Sequence, residues 1–184
     1  MADRLQTAMV TGASAGLGEE FCHQLAERCD VIIGVARRDE RLAELAGKLR
    51  GVEFHGVCAD LGSVAGVARV MEALRQQGPV DYLVNNAGFS TFGQFADLSV
   101  EPQRAMVSLH IDAAITLCRA AIPYMRDRGG GPINKDRSLG AFVPGKGLAV
   151  YGATKAFLLY YSRALQAELA GSGIEVQALC PGYI

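Results

Sequence analysis

The chain lacks the residue patterns of several functional classes. Its five cysteines, Cys22, Cys29, Cys58, Cys118 and Cys180, are odd in number and scattered, with no C-x-x-C pair. They suggest reduced thiols, not a disulfide framework or a zinc site. The histidines His23, His55 and His110 show no metal-ligand spacing, so no metal is expected. Lysine plus arginine (18) nearly balances aspartate plus glutamate (19), and neither sign forms a run. The formal net charge of -1 argues against a nucleic-acid surface. The start, Met-Ala-Asp-Arg, has no signal-peptide stretch, and no apolar run reads as long enough to cross a bilayer. The default expectation is a soluble cytoplasmic protein without membrane contact. Repeats, low-complexity tracts and linkers are absent too, and 184 residues, half of them hydrophobic, suffice for one domain with a sizeable core.

What is present is an alternation. Short apolar runs at Thr7–Val10, Val31–Ala36, Val52–Cys58, Val80–Val84 and Ile174–Leu179 are separated by amphipathic stretches near 17–29, 39–50, 63–77 and 101–127. A further helix is expected from Val150 to about Ala170. Apolar strands that each lead into a helix specify a parallel sheet covered on both faces. Right-handed crossovers make it doubly wound, with ligands at the carboxyl ends of the strands.

The first run leads into Thr11-Gly12-Ala13-Ser14-Ala15-Gly16-Leu17-Gly18. Glycines between a strand and a helix let the backbone turn tightly and aim unpaired helix N–H groups at a pyrophosphate. The G-x-x-x-G-x-G spacing differs from the G-x-G-x-x-G form of this signal. At the end of the second strand, a carboxylate would hold the ribose 2'-hydroxyl of NAD. Ala36 stands there instead, followed by Arg37 and Arg38. Guanidinium groups pair well with a 2'-phosphate, so NADP(H) is the expected cofactor, with Arg37 favoured over Arg38.

Tyr151-Gly152-Ala153-Thr154-Lys155 places a phenol and an ammonium one helical turn apart on the same face. A cation beside a phenol favours the phenolate, and such a pair can pass a proton to or from a reacting oxygen. The spacing alone is common on solvated helices.

With Asn85-Asn86-Ala87-Gly88 after the fourth strand, the chain resembles the short-chain dehydrogenase/reductase family. TGASAGLG matches that family's TGxxxGxG turn, NNAG its fourth-strand motif and YGATK its YxxxK active site, all in family order. The resemblance implies a Rossmann-like sheet of order 3-2-1-4-5-6 and hydride transfer between NADP(H) and a carbonyl or alcohol. Cofactor contacts would come from Gly12, Ser14, Ala15, Gly16, Leu17, Gly18, Arg37, Arg38, Asp60, Leu61, Asn86, Ala87, Gly88, Tyr151, Lys155, Pro181 and Gly182. Tyr151 would donate or accept the proton, Lys155 would hold the nicotinamide ribose, and Ser138, thirteen positions before the tyrosine, would steady the substrate oxygen. Pairing into a homodimer or homotetramer through helices 101–127 and 150–170 is also implied. Phe89, Ser90, Phe92, Phe142 and Val143 would lie near the mouth of the site.

Three departures from the family pattern stand out. His110 falls where the family usually has a catalytic asparagine, and it is either a packing residue or a proton relay. The segment Pro132-Ile133-Asn134-Lys135-Asp136-Arg137-Ser138 puts three consecutive charges in a strand that should be apolar on both faces. The expectation is a locally displaced strand or a damaged one, with Ser138 poorly positioned. The sequence also stops at Tyr183-Ile184, where the family continues into a substrate-covering segment, which would leave the sixth strand as a hydrophobic edge. These departures keep open an alternative, a module that binds NADP(H) without turnover.

Overall fold

The computed structural model describes residues 5–136 and 144–179. Strand β1 (Leu5–Thr11) is the keel: Ala8, Met9 and Val10 are fully buried. Next come α1 (Gly16–Ala26), β2 (Cys29–Ala36), α2 (Asp39–Lys48), β3 (Glu53–Cys58), α3 (Val64–Gln77) and β4 (Tyr82–Asn85). They are followed by α4 (Val100–Val107), α5 (Ala113–Asp127), β5 (Gly131–Asp136), α6 (Ala149–Glu168) and β6 (Ile174–Leu179). All six strands are parallel in the order β3-β2-β1-β4-β5-β6.

Period-two alternation divides the core between the faces of the sheet. Ala8, Val10, Ile32 and Val84 pack with Cys22 and Leu25 of α1 and Leu42 and Leu45 of α2. Met9, Ile33, Leu83 and Ile133 pack with Val70 of α3, Leu117, Cys118 and Met125 of α5, and Leu165 of α6. Local chemistry sets the helix ends. Ser63 caps α3 by accepting from the Gly66 N–H at 3.0 Å, and Gly78 closes that helix at φ 90°. Asp39 and Glu40 occupy the first turn of α2, where the helix dipole favours negative charge. The buried Asp81 carboxylate accepts from the Gln6 and Thr7 N–H groups at 2.8 and 2.9 Å and pairs with Arg128 at 3.1 Å, fastening β1 to β4.

Four expectations are corrected. The stretch 101–127 is not one α-helix: a π-helical turn, Ser108–Asp112, separates α4 from α5 and carries buried His110. Among the described residues, Val100–Asp127 is also long and apolar enough to cross a membrane, contrary to the sequence reading. Its Met106, Ala113, Leu117 and Met125 are buried in the core. The charged fifth strand is not displaced. Ile133, Asn134 and Lys135 pair in register with Leu83, Val84 and Asn85 on one side and Val176, Gln177 and Ala178 on the other. Lys135 is wholly buried. Finally, the edge strand β6 is not uniformly apolar, because Glu175 and Gln177 are exposed and interrupt its hydrophobic character.

Candidate active site

The carboxyl ends of β1 to β4 open onto one cleft of about 610 Å³. That volume suits a small-molecule ligand. Its wall brings together Gly12, Ser14, Ala15, Gly16 and Leu17 after β1, Arg37 and Arg38 after β2, Asp60 and Leu61 after β3, and Asn86, Ala87 and Gly88 after β4. At Gly12 (φ 71°) an added Cβ would stand 2.8 Å from the Asn86 amide, so only glycine fits. Gly18 does not line the cleft. A Cβ there would lie 2.1 Å from the Gly12 carbonyl oxygen, so glycine at this position packs α1 closely beneath the turn.

The first turn of α1 has no side-chain cap, since its N-cap is Ala15. Its N–H groups therefore remain available to an anionic ligand. Arg38 reaches back across the turn, its Nη2 donating to Ser14 Oγ at 3.1 Å. Arg37 lies between this cleft and a shallower depression of about 300 Å³ that also touches Arg69. Asp60 lines the cleft but turns its carboxylate towards its own loop, accepting from the Gly62 N–H at 2.9 Å.

Two residues organise this wall without having been singled out from the sequence. Thr11 Oγ1 donates to the Val84 carbonyl at 3.2 Å and accepts from the Asn86 and Ala87 N–H groups, both at 3.0 Å. The Asn86 side chain donates in turn to the Thr11 carbonyl at 3.0 Å. Thr154 is the second. Each opens or lies within a recognised motif, which was the available signal.

Helix α6 presents Tyr151 and Lys155 beside this wall. The Lys155 Nζ lies 5.6 Å from the Tyr151 ring centroid, and Lys155 is 4% exposed. The His110 ring meets the Tyr151 ring edge-on at 6.0 Å between centroids. Thr154 Oγ1 donates to the Tyr151 carbonyl at 2.8 Å and lies 2.8 Å from His110 Nδ1. His110 Nε2 accepts from the Phe89 N–H at 3.3 Å. Burial, with the Lys155 charge adding to it, pushes the His110 imidazole down to about 4. Below this group, a water-sized cavity of about 10 Å³ is lined by Thr11, Asn85, His110, Lys135 and Lys155 among others.

Ser138, Pro181, Gly182, Phe142 and Val143 lie outside the described residues. Of the residues expected at the mouth, Phe92 is 77% exposed, and Phe89 tilts against His110 with ring centroids 6.3 Å apart.

The family model for short chain dehydrogenases matches residues 6–184. The chain belongs to the short-chain dehydrogenase family. This dehydrogenase is 33% identical to an uncharacterized oxidoreductase of Staphylococcus epidermidis, over 97% of this chain and 78% of that protein. It is similar in structure to a bulky-bulky ketone specific alcohol dehydrogenase from Comamonas testosteroni, with TM-score 0.91, 35% identity and coverage of 97% of this chain and 73% of the other. It is also similar to a short-chain dehydrogenase from Sphingobium yanoikuyae in complex with NADPH, with TM-score 0.90, 38% identity and coverage of 97% and 71%. The relation makes it an NAD(P)-dependent oxidoreductase that works by hydride transfer.

Proposed function

We propose that this dehydrogenase uses NADP(H) in preference to NAD(H) and acts on a carbonyl/alcohol pair. The observation that carries the cofactor choice is the pair Arg37 and Arg38 at the end of β2, with Ala36 where an acid would select NAD, and with Arg38 held over the turn by Ser14. The cleft fits a dinucleotide: its glycine turn leaves no side chain in the way, and the uncapped start of α1 offers N–H donors for a pyrophosphate. The nicotinamide supplies the hydride chemistry when bound. Ser14, Ala15, Gly16, Leu17, Arg37 and Arg38 would hold the phosphates, and Asp60, Leu61, Asn86, Ala87 and Gly88 the adjoining wall.

Tyr151 gives a proton to the substrate oxygen in reduction and takes one in oxidation. Lys155, one turn further and nearly buried, is a cation that stabilises negative charge developing at that place. In-register pairing of β5 favours this reading over a binding-only module, because the strand approaching Ser138 is not displaced. Pairing of two copies through α5 and α6 is part of the same proposal, supported by exposed Ile115, Phe157 and Tyr160 on those helices. A cytoplasmic location is proposed with it.

The test is a calorimetric titration of the chain and its Tyr151→Phe variant with NADPH and NADH, followed by turnover with a panel of ketones. NADPH should bind more tightly than NADH to both proteins. Turnover should fall by about 10²- to 10⁴-fold in the variant. Equal or tighter binding of NADH would refute the cofactor choice, and NADPH binding with no turnover by the parent chain would refute the enzyme reading in favour of the module.

A further inference from the structure

The hydrogen-bond geometry around His110 favours one placement of its proton. A threonine hydroxyl carries one proton, and Thr154 donates it to the Tyr151 carbonyl at 2.8 Å. Towards His110 Nδ1, also at 2.8 Å, Thr154 Oγ1 must therefore accept, which makes Nδ1 the protonated nitrogen. Nε2 is then bare, and it accepts the Phe89 N–H at 3.3 Å. Both ring nitrogens are occupied by fixed partners, so neither is left to pick up or release a proton during turnover.

We propose that His110 is a positioning residue, a clamp whose neutral, Nδ1-protonated imidazole ties the loop after β4 to the second turn of α6. It thereby fixes the cleft wall at Gly88 and Phe89 relative to Tyr151. The π-helical turn Ser108–Asp112 carries the ring into this gap. Gly88 is matched to it: a Cβ there would stand 2.9 Å from His110 Nε2, so a side chain at position 88 and the imidazole compete for one space. The clamp joins the two walls of the site, the one that lines the dinucleotide cleft and the one that carries the phenol. This inference rests on reading that cleft as the cofactor site. The charged or titratable groups facing the ring are Lys155 and Tyr151 from α6, with Lys135 from β5 across the small cavity.

The deciding measurement is the ¹⁵N NMR spectrum of the imidazoles in the whole chain between pH 8 and 5. One histidine should show a protonated Nδ1 and a bare Nε2, unchanged over that range. Titration of all three histidines near their ordinary value, or an Nε2-protonated tautomer at His110, would overturn the proposal. Variants then separate the two bonds. Asparagine places its amide near Nδ1, and glutamine places an oxygen near Nε2. Loss of a hydrogen bond to Phe89 in His110→Asn should weaken NADPH binding by about three- to ten-fold, while His110→Gln restores most of it. Equal NADPH affinity in His110→Asn, His110→Gln and parent would also sink the clamp. If the parent chain binds no dinucleotide, the cofactor reading fails and the spectrum still decides the clamp, since it depends on neither ligand nor variant.

Discussion

Replacing Lys135 with methionine should stabilise this protein. Lys135 is fully buried in the strand next to the β6 edge, its Nζ lies 3.5 Å from the Tyr161 ring centroid, and among the described residues no oxygen or nitrogen accepts from it, leaving only the weakly bonding Cys118 thiol beside it. Burial holds its amine below the ordinary lysine range, with the neighbouring Cys118 thiol opposing that effect. An unsatisfied buried polar group costs about 1 to 3 kcal/mol, and methionine fills nearly the same space without it. For a chain of this size each kcal/mol moves the melting temperature by roughly 2 to 4 °C, so Lys135→Met should melt about 2 to 12 °C higher at pH 7. The pH dependence is a second check. A lysine whose folded pKa is depressed binds more protons when unfolded, so its penalty is complete below the folded pKa and fades as pH rises towards ~10.4. Parent stability should therefore approach that of Lys135→Met as pH rises from 7 to 9. Burial also raises Cys118 and Tyr161, and because Lys135 and Cys118 perturb one another, the alkaline part of the difference belongs to that pair, so the gap is read between pH 7 and 9. Urea melts of both proteins at pH 7, 8 and 9 supply the curve. The competing effect is a cation held on the Tyr161 face, worth about 2 kcal/mol when desolvated. A less stable Lys135→Met at pH 7, with a gap that stays constant to pH 9, would show that the lysine is charged and stabilising, and the reasoning would be refuted.

Gly18→Ala should cost more than about 3 kcal/mol, because the new methyl meets the Gly12 carbonyl oxygen at 2.1 Å against backbone that cannot swing away; a denaturation midpoint equal to the parent's would contradict the packing role. Acid should weaken the fold through His110. Its folded value of about 4 lies below the ordinary 6.5, so the contribution is complete above pH 6.5 and is lost as pH falls towards 4, amounting to about 3 kcal/mol. In His110→Asn that part of the acid slope should vanish, and identical slopes in the two proteins would refute it.

Much of the fold was legible because its signals are local. A strand buried on both faces must be apolar along its length, and Val31–Ala36 declares itself at nearly its observed bounds; Ile174–Leu179 does so by its alternation of apolar and polar residues. Glycine at 12 and 16 follows from the turn itself, and Tyr151 with Lys155 from one turn of helix. The break at Ser108–Asp112 was not legible, because a π turn keeps helical composition and only packing against Thr154 and Phe89 shows why the ring points inward. The three charges after Asn134 read as a strand forced outward, since sequence carries the cost of burying a lysine but not the aromatic face that receives it.

The division has a physical basis. Periodicity, glycine spacing and the Tyr-x-x-x-Lys step depend on backbone geometry within a few residues, so the sequence alone determined the parallel sheet, the glycine turn between β1 and α1 and the helix that carries the phenol. The partners of His110, the burial of Lys135, the return of Arg38 to Ser14 and the placing of Gly18 under the turn join residues from 6 to 44 positions apart, or strand to helix across the core. Those pairings depend on register and interlayer packing, and only the tertiary structure decided them.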